Sequence, residues 1–170
     1  MFIPKEKYGN TKFTKQNSQS DNAGVKLPPP LLYLAFGLMG IGINALFPLP
    51  IGIMPPLTYS GIALILGSVV LVRYIRHIFI REGTNVIPWK TTSKIITYGP
   101  FRYSRNPIYV AACGVLLGLG ILFNTYWAVL TIIPALITVY YTAIKKEEEY
   151  LEKKFGEKYL AYKAWVRRWL

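Results

Sequence analysis

Residues able to do chemistry gather in two short stretches of this chain. The first lies in Thr97–Tyr109, TYGPFRYSRNPIY, where Arg102, Tyr103, Arg105, Asn106, Pro107 and Tyr109 fall within eight residues. Asn followed by Pro suits a helix start, because Asn can cap free backbone N–H groups and Pro fits the first helical turn. Guanidiniums, aromatic rings and a helix N-terminus thus meet where a basic segment turns into a long uncharged one. The second stretch is Glu147-Glu148-Glu149, one turn beyond the last apolar run. Together they read as two halves of one cofactor site. A plainer reading stands beside this one. Arg102 and Arg105 also suit charged anchors at a membrane surface, and Glu149 suits a solvated pair with Lys153 at i, i+4.

The elements that must position these groups are apolar. The 170 residues carry a net charge of +12 and are 52% hydrophobic, yet no Asp, Glu, Lys or Arg occurs in 27–72 or in 106–144. Each run is long enough for two bilayer crossings of roughly 20 residues, or about 17 for a short one. The expected architecture is an all-α polytopic membrane protein with four transmembrane helices, at about 30–49, 57–74, 107–123 and 126–144. A cytoplasmic amphipathic helix over 145–170 follows them, and residues 1–26 form a disordered cytoplasmic tail before the single domain 27–170. The twenty basic residues fall before the first crossing, between the second and third, and after the fourth. The positive-inside rule therefore places both termini in the cytoplasm. Basic residues that flank apolar runs argue against nucleic acid as a partner and for membrane lipids.

Details follow from residue type. Asn44 is expected to bond to a neighbouring helix, and Pro134 to bend the last crossing. Gly114 and Gly118 share a helix face and permit close helix contact. Asn124-Thr125 leaves room only for a tight turn, so crossings three and four form a hairpin. Arg105 and Glu147/Glu148 then stand side by side at one level. Near the C-terminus, Leu151, Phe155, Tyr159, Tyr162, Val166 and Trp169 make one apolar stripe, which Gly156 interrupts. His77 reads as a solvated bystander. One His and one Cys, Cys113, cannot assemble an ordinary metal site, so no metal is expected.

The run GTNVIPWKTTSKIITYGPFRYSRNPIY, a glycine-rich apolar hairpin, and then EEEYLEKKFGEKYLAYKAWVRRW resemble the isoprenylcysteine carboxyl methyltransferase and phospholipid methyltransferase superfamily. The shared features are an Arg-His/Asn-Pro-x-Tyr motif, a Glu-Glu pair and an FG-x-x-Y-x-x-Y stretch, spanning about Gly83–Trp169. The resemblance implies methyl transfer from S-adenosylmethionine at the membrane–cytosol boundary to a lipophilic or small acceptor. By motif position it implies cofactor binding by Arg105, Asn106, Pro107 and Tyr109, with Tyr103 beside them, and by Glu147, Glu148, Tyr159 and Tyr162. Arg105 and Glu148 are the expected catalytic pair. A carboxylate suits the cofactor ammonium or ribose, Arg105 suits an anion, and tyrosine faces suit adenine or the sulfonium. Asn106 replaces the histidine typical of the isoprenylcysteine enzymes.

The leading expectation is an isoprenylcysteine carboxyl methyltransferase-like enzyme, with a slight lean toward an acid or thiol acceptor because no poised base is visible. Phospholipid N-methylation, thiol S-methylation and a non-catalytic membrane scaffold of the same shape are the alternatives. Oligomeric state is open, since the glycine faces suit contacts within one chain or between two.

Overall fold

The computed structural model describes residues 23–25, 27–85 and 91–170. Helix α1, Pro29–Leu46, opens on Pro28-Pro29-Pro30, where proline sacrifices only N–H groups that lack intrahelical partners. A loop and a short 3₁₀ turn, Leu57–Tyr59, lead into α2, Ser60–Arg81. A second 3₁₀ turn, Gly99–Arg102, precedes α3, Pro107–Leu122. The chain then forms α4 (Tyr126–Leu130), α5 (Ile132–Val139), a π-helical turn (Tyr140–Ile144) and α6 (Lys145–Phe155). These run on as one helical rod, Tyr126–Phe155. Last comes α7, Glu157–Trp165.

The all-α class holds, but the expected four crossings do not. Among the described residues three helices are long and apolar enough to span a bilayer: Pro29–Leu46, Leu57–Arg81 and Tyr126–Phe155. The segment expected as the third crossing is α3, only 16 residues, or about 24 Å at ~1.5 Å per residue against a hydrocarbon thickness of about 30 Å. Its burial gives the physical reason. Along α3 only Leu117 is exposed, whereas α2 exposes Ile62, Leu66, Val69, Val70 and Val72. α3 is thus more enclosed by protein than α2, which relaxes the need for it to match the bilayer. Absence of charge, the sequence criterion, does not distinguish an apolar helix facing lipid from one facing its neighbours.

Small residues permit this enclosure. A Cβ on Gly61 of α2 would lie 2.4 Å from the Gly118 carbonyl oxygen, and one on Gly114 2.4 Å from the Ser68 hydroxyl. The shared glycine face of α3 is therefore packed against α2, backbone to backbone. Across the bundle, a Cβ on Gly40 of α1 would lie 2.7 Å from the Ala128 Cα in α4. Two apolar clusters result. One joins Tyr33, Tyr109, Leu116, Val139 and Ile144; the other joins Ile75, Ile78, Ile96, Phe101, Tyr159 and Tyr162 beneath the C-terminal helices.

The hairpin turn is built by Asn124, whose φ of 49° places it in the left-handed region. Its side-chain oxygen accepts from the Gly52 and Ile53 N–H groups at 3.1 Å each, tying the α3–α4 turn to the α1–α2 loop. Asn44 does not bridge helices as expected; its oxygen accepts from the Leu49 N–H just beyond its own helix. Pro134 acts upstream of itself: it offers no N–H to the Leu130 carbonyl, and α4 ends at Leu130.

The C-terminal segment is not one helix over 145–170. Gly156, at φ 53° and ψ −128°, separates α6 from α7, and the chain leaves helical geometry after Trp165. Lys163 of α7 pairs with Glu152 of α6 across this break. The apolar stripe still packs as a unit over the end of the bundle, except that Trp169 joins the other cluster. The expected tail 1–26 lies mostly outside the described residues, although Val25 is buried against α1 and α3 residues. Residues 86–90 of the connection between α2 and α3 also lie outside them. His77 is exposed near the end of α2.

Candidate active site

Because α3 and the rod Tyr126–Phe155 are antiparallel around the Asn124 turn, the start of α3 meets α6. The Tyr109 hydroxyl donates to Glu147 Oε1 at 2.7 Å. Arg105 Nη1 stands 3.4 Å from Glu148 Oε1, with both side chains more than 90% buried. The π-helical turn immediately before α6 changes the rotation of the helix at this point, a feature common near functional sites.

Glu148 is the electrostatic centre. Arg168 reaches back from beyond α7 and grips it twice, Nε to Oε1 at 2.9 Å and Nη2 to Oε2 at 3.0 Å. This forked pairing fixes the carboxylate plane. The Arg168 guanidinium also lies 4.9 Å over the Tyr140 ring. Its hydrogen bonds to Glu148 favour the charged form and raise its pKa further above the ordinary value. Arg105 is held differently. Its Nε and Nη1 are buried and donate no hydrogen bond.

The loop before α3 is fastened to the segment after α7. The Arg105 N–H donates to the Arg167 carbonyl at 2.9 Å, and the Ser104 hydroxyl and Asn106 amide both donate to the Arg168 carbonyl at 3.1 Å. Asn106 therefore does not cap α3 with its side chain, as its type suggested; it is committed to the C-terminal segment. The Tyr162 hydroxyl donates to the Phe101 carbonyl at 2.7 Å. Burial pushes the Tyr159 phenol up to about 12; the Glu148 charge adds to this and the Arg105 guanidinium opposes it. The Tyr159 hydroxyl is accordingly a neutral donor and acceptor at physiological pH.

These groups line one cavity of about 310 Å³, a size at the lower end of small-molecule sites. Arg105, Asn106, Pro107, Tyr109, Glu147, Glu148, Tyr159 and Tyr162 all contribute to its wall. Tyr103 does not; it is 71% exposed and points away from the cluster. Much of the remaining lining is apolar, from Pro28, Pro29, Phe79, Ile95, Ile96 and Leu151. Sequence reasoning missed Arg168, Ser104 and the prolines that begin α1. Arg168 was hidden by helical periodicity, which continued past Trp165 and left it off the apolar stripe. The triple proline signalled a helix start but nothing about a cavity.

Helices long enough to span a bilayer, with a charged cavity built at one end of them, define an integral membrane protein of the helical-bundle class. The chain belongs to the phospholipid methyltransferase family, whose model matches residues 57–158. It is also 36% identical over 63 residues to an uncharacterized protein of Haemophilus influenzae, a match covering 37% of this chain and all of that one. No solved structure matches it. The protein is thus an S-adenosylmethionine-dependent methyltransferase associated with membrane-spanning helices.

The residues present fit that cofactor. The Arg105 guanidinium, whose Nε and Nη1 make no hydrogen bond although Nη1 lies 3.4 Å from Glu148, suits a carboxylate. Glu147 bonds to a hydroxyl and pairs with no cation among the described residues, so it suits an ammonium. No group of three or more His, Cys, Asp or Glu able to hold a metal occurs among the described residues.

Proposed function

We propose that the protein methylates the headgroup amine of a membrane phospholipid, with S-adenosylmethionine held in the cavity. The observation that carries this reading is the presence, in the lining of one cavity, of the Arg105 guanidinium with donors unused in hydrogen bonds and of the Glu147 carboxylate held by Tyr109. Arg105 binds the cofactor carboxylate and Glu147 its ammonium, two groups on one carbon, which fixes the amino-acid end of the molecule. Glu148, with both oxygens occupied by Arg168, is committed to that arginine rather than to moving a proton.

When bound, the cofactor supplies an electrophilic methyl group on its sulfonium. The protein contributes alignment and exclusion of water, which suits an in-line displacement. An amine acceptor must be neutral to attack. A headgroup ammonium entering beside the net-positive group Arg105–Glu148–Arg168 is disfavoured in its charged form, both by like charge and by desolvation. The ammonium can then lose its proton to interfacial water before transfer, so an amine acceptor does not require the dedicated base whose lack had pointed toward an acid or thiol acceptor. Family membership and the apolar cavity wall of α1 and α2 residues support a lipid acceptor over a soluble one.

The charge pattern supports a cytoplasmic position for the cavity end of the bundle and for both termini. Described basic residues cluster around that end, and the loops at Pro50 and Asn124 carry none.

The test supplies labelled S-adenosylmethionine to the purified protein in vesicles of phosphatidylethanolamine, with a prenylated cysteine and a small thiol as competitors. Label should enter methylated ethanolamine lipid. Label entering only the cysteine carboxylate or the thiol would overturn the amine reading.

A further inference from the structure

We infer that the non-helical segment 166–170 is a strap that completes the site. In this inference Arg168 is a positioning residue that keeps Arg105 open by occupying Glu148. The inference rests on the reading that Arg105 takes the cofactor carboxylate.

Three independent features build the strap. Its backbone carbonyls at Arg167 and Arg168 receive three hydrogen bonds from Ser104, Arg105 and Asn106. Val166 and Trp169 pack into different apolar clusters, so the segment is fixed at both ends. Between them, the Arg168 guanidinium lies over Tyr140 and grips Glu148 with two bonds.

The chemistry of Arg105 makes this arrangement consequential. A buried guanidinium with unmet donors is costly, and a carboxylate 3.4 Å away is its natural partner. A carboxylate can accept a forked pair from one arginine in one plane. Here that plane belongs to Arg168. Without Arg168, Glu148 turns onto Arg105 and takes the donors that would otherwise meet a ligand carboxylate. Arg168 therefore acts on the ligand through Glu148 and Arg105, without touching the ligand itself.

The experiment compares S-adenosylmethionine with its decarboxylated analogue, each titrated calorimetrically into the full chain in detergent. The parent should prefer S-adenosylmethionine by about tenfold or more, the scale of a charged hydrogen bond in a buried site. Arg168→Met should bind both ligands alike. Arg168→Met combined with Glu148→Gln should regain the preference, because no charged carboxylate remains to compete for Arg105. A purely structural role for the strap predicts equal weakening of both ligands and no regain in the double variant; either result overturns the inference. A preference that persists undiminished in Arg168→Met also overturns it. No preference in the parent instead removes the assignment of Arg105. Should Arg168→Met fail to fold, Arg168→Lys keeps the charge but lacks the fork and should lose part of the preference. Full parental preference in that variant would sink the idea equally.

Discussion

Replacing Glu147 by glutamine isolates one charge. The substitution keeps the side chain's shape and leaves an oxygen to accept from the Tyr109 hydroxyl, now 2.7 Å from Oε1. What it removes is the carboxylate proposed to meet the cofactor ammonium. A hydrogen bond to a charged group in a protein contributes ~1.5–3 kcal/mol, and each ~1.4 kcal/mol is tenfold in Kd. The cavity is buried and Glu147 has no competing cation among the described residues, so little of this should be lost to screening. Affinity for S-adenosylmethionine should therefore fall by roughly 10- to 150-fold, read by calorimetry in detergent. Tyr109→Phe leaves the charge but frees its orientation, and should cost less, about threefold to tenfold. Glu149→Gln, two residues along and exposed, should change nothing. Parental affinity in Glu147→Gln, or an equal loss in Glu149→Gln, would refute the assignment of Glu147.

Three further outcomes are expected. Gly61→Ala should destabilise the bundle by about 1–3 kcal/mol, seen as a lower unfolding temperature in detergent, because its Cβ would meet backbone atoms of α3 at 2.4 and 2.7 Å. Gly156→Ala meets no atom within 4 Å, so its cost is conformational, about 1–3 kcal/mol for a side chain forced to φ 53°. That loss should appear as earlier unfolding of the C-terminal helices by hydrogen exchange, with the membrane helices protected. In a Cys113→Ser background, Glu149→Cys should react with a membrane-impermeant maleimide only when the cytoplasmic face is accessible. Met54→Cys, at the other end of the bundle and 77% exposed, should react only from the opposite face.

The proximity of Arg105 to Glu147 and Glu148 was legible because it needs only topology: a tight turn at Asn124-Thr125 forces two helices antiparallel. The Arg-Asn-Pro-x-Tyr and Glu-Glu motifs then singled out candidate side chains, and all of the candidates but Tyr103 line the cavity. The depth of α3 was not legible. Apolar residues are demanded equally by lipid and by a protein interior, and the distinction lies in glycines on partner helices, Gly61 foremost. Arg168 escaped for a related reason. Periodicity registers a repeating pattern but carries no signal for where the backbone leaves the helix, and Val166 has extended geometry. Asn106 satisfied a capping preference in type while its amide found a tertiary partner instead.

A short helix enclosed by longer ones also sets the depth of the chemistry. α3 falls about 6 Å short of the hydrocarbon thickness, and Asn124 fastens its far end to the loop joining α1 and α2. With the far end of α3 at the opposite interface, the shortfall falls at the end that bears Tyr109 and adjoins Arg105. On the proposed lipid acceptor, a headgroup would then have to descend below the plane of its neighbours to reach this floor, shedding water as it goes. Bilayer thickness then becomes a variable of the enzyme, since a thicker membrane lengthens that descent while the protein's own depth stays fixed.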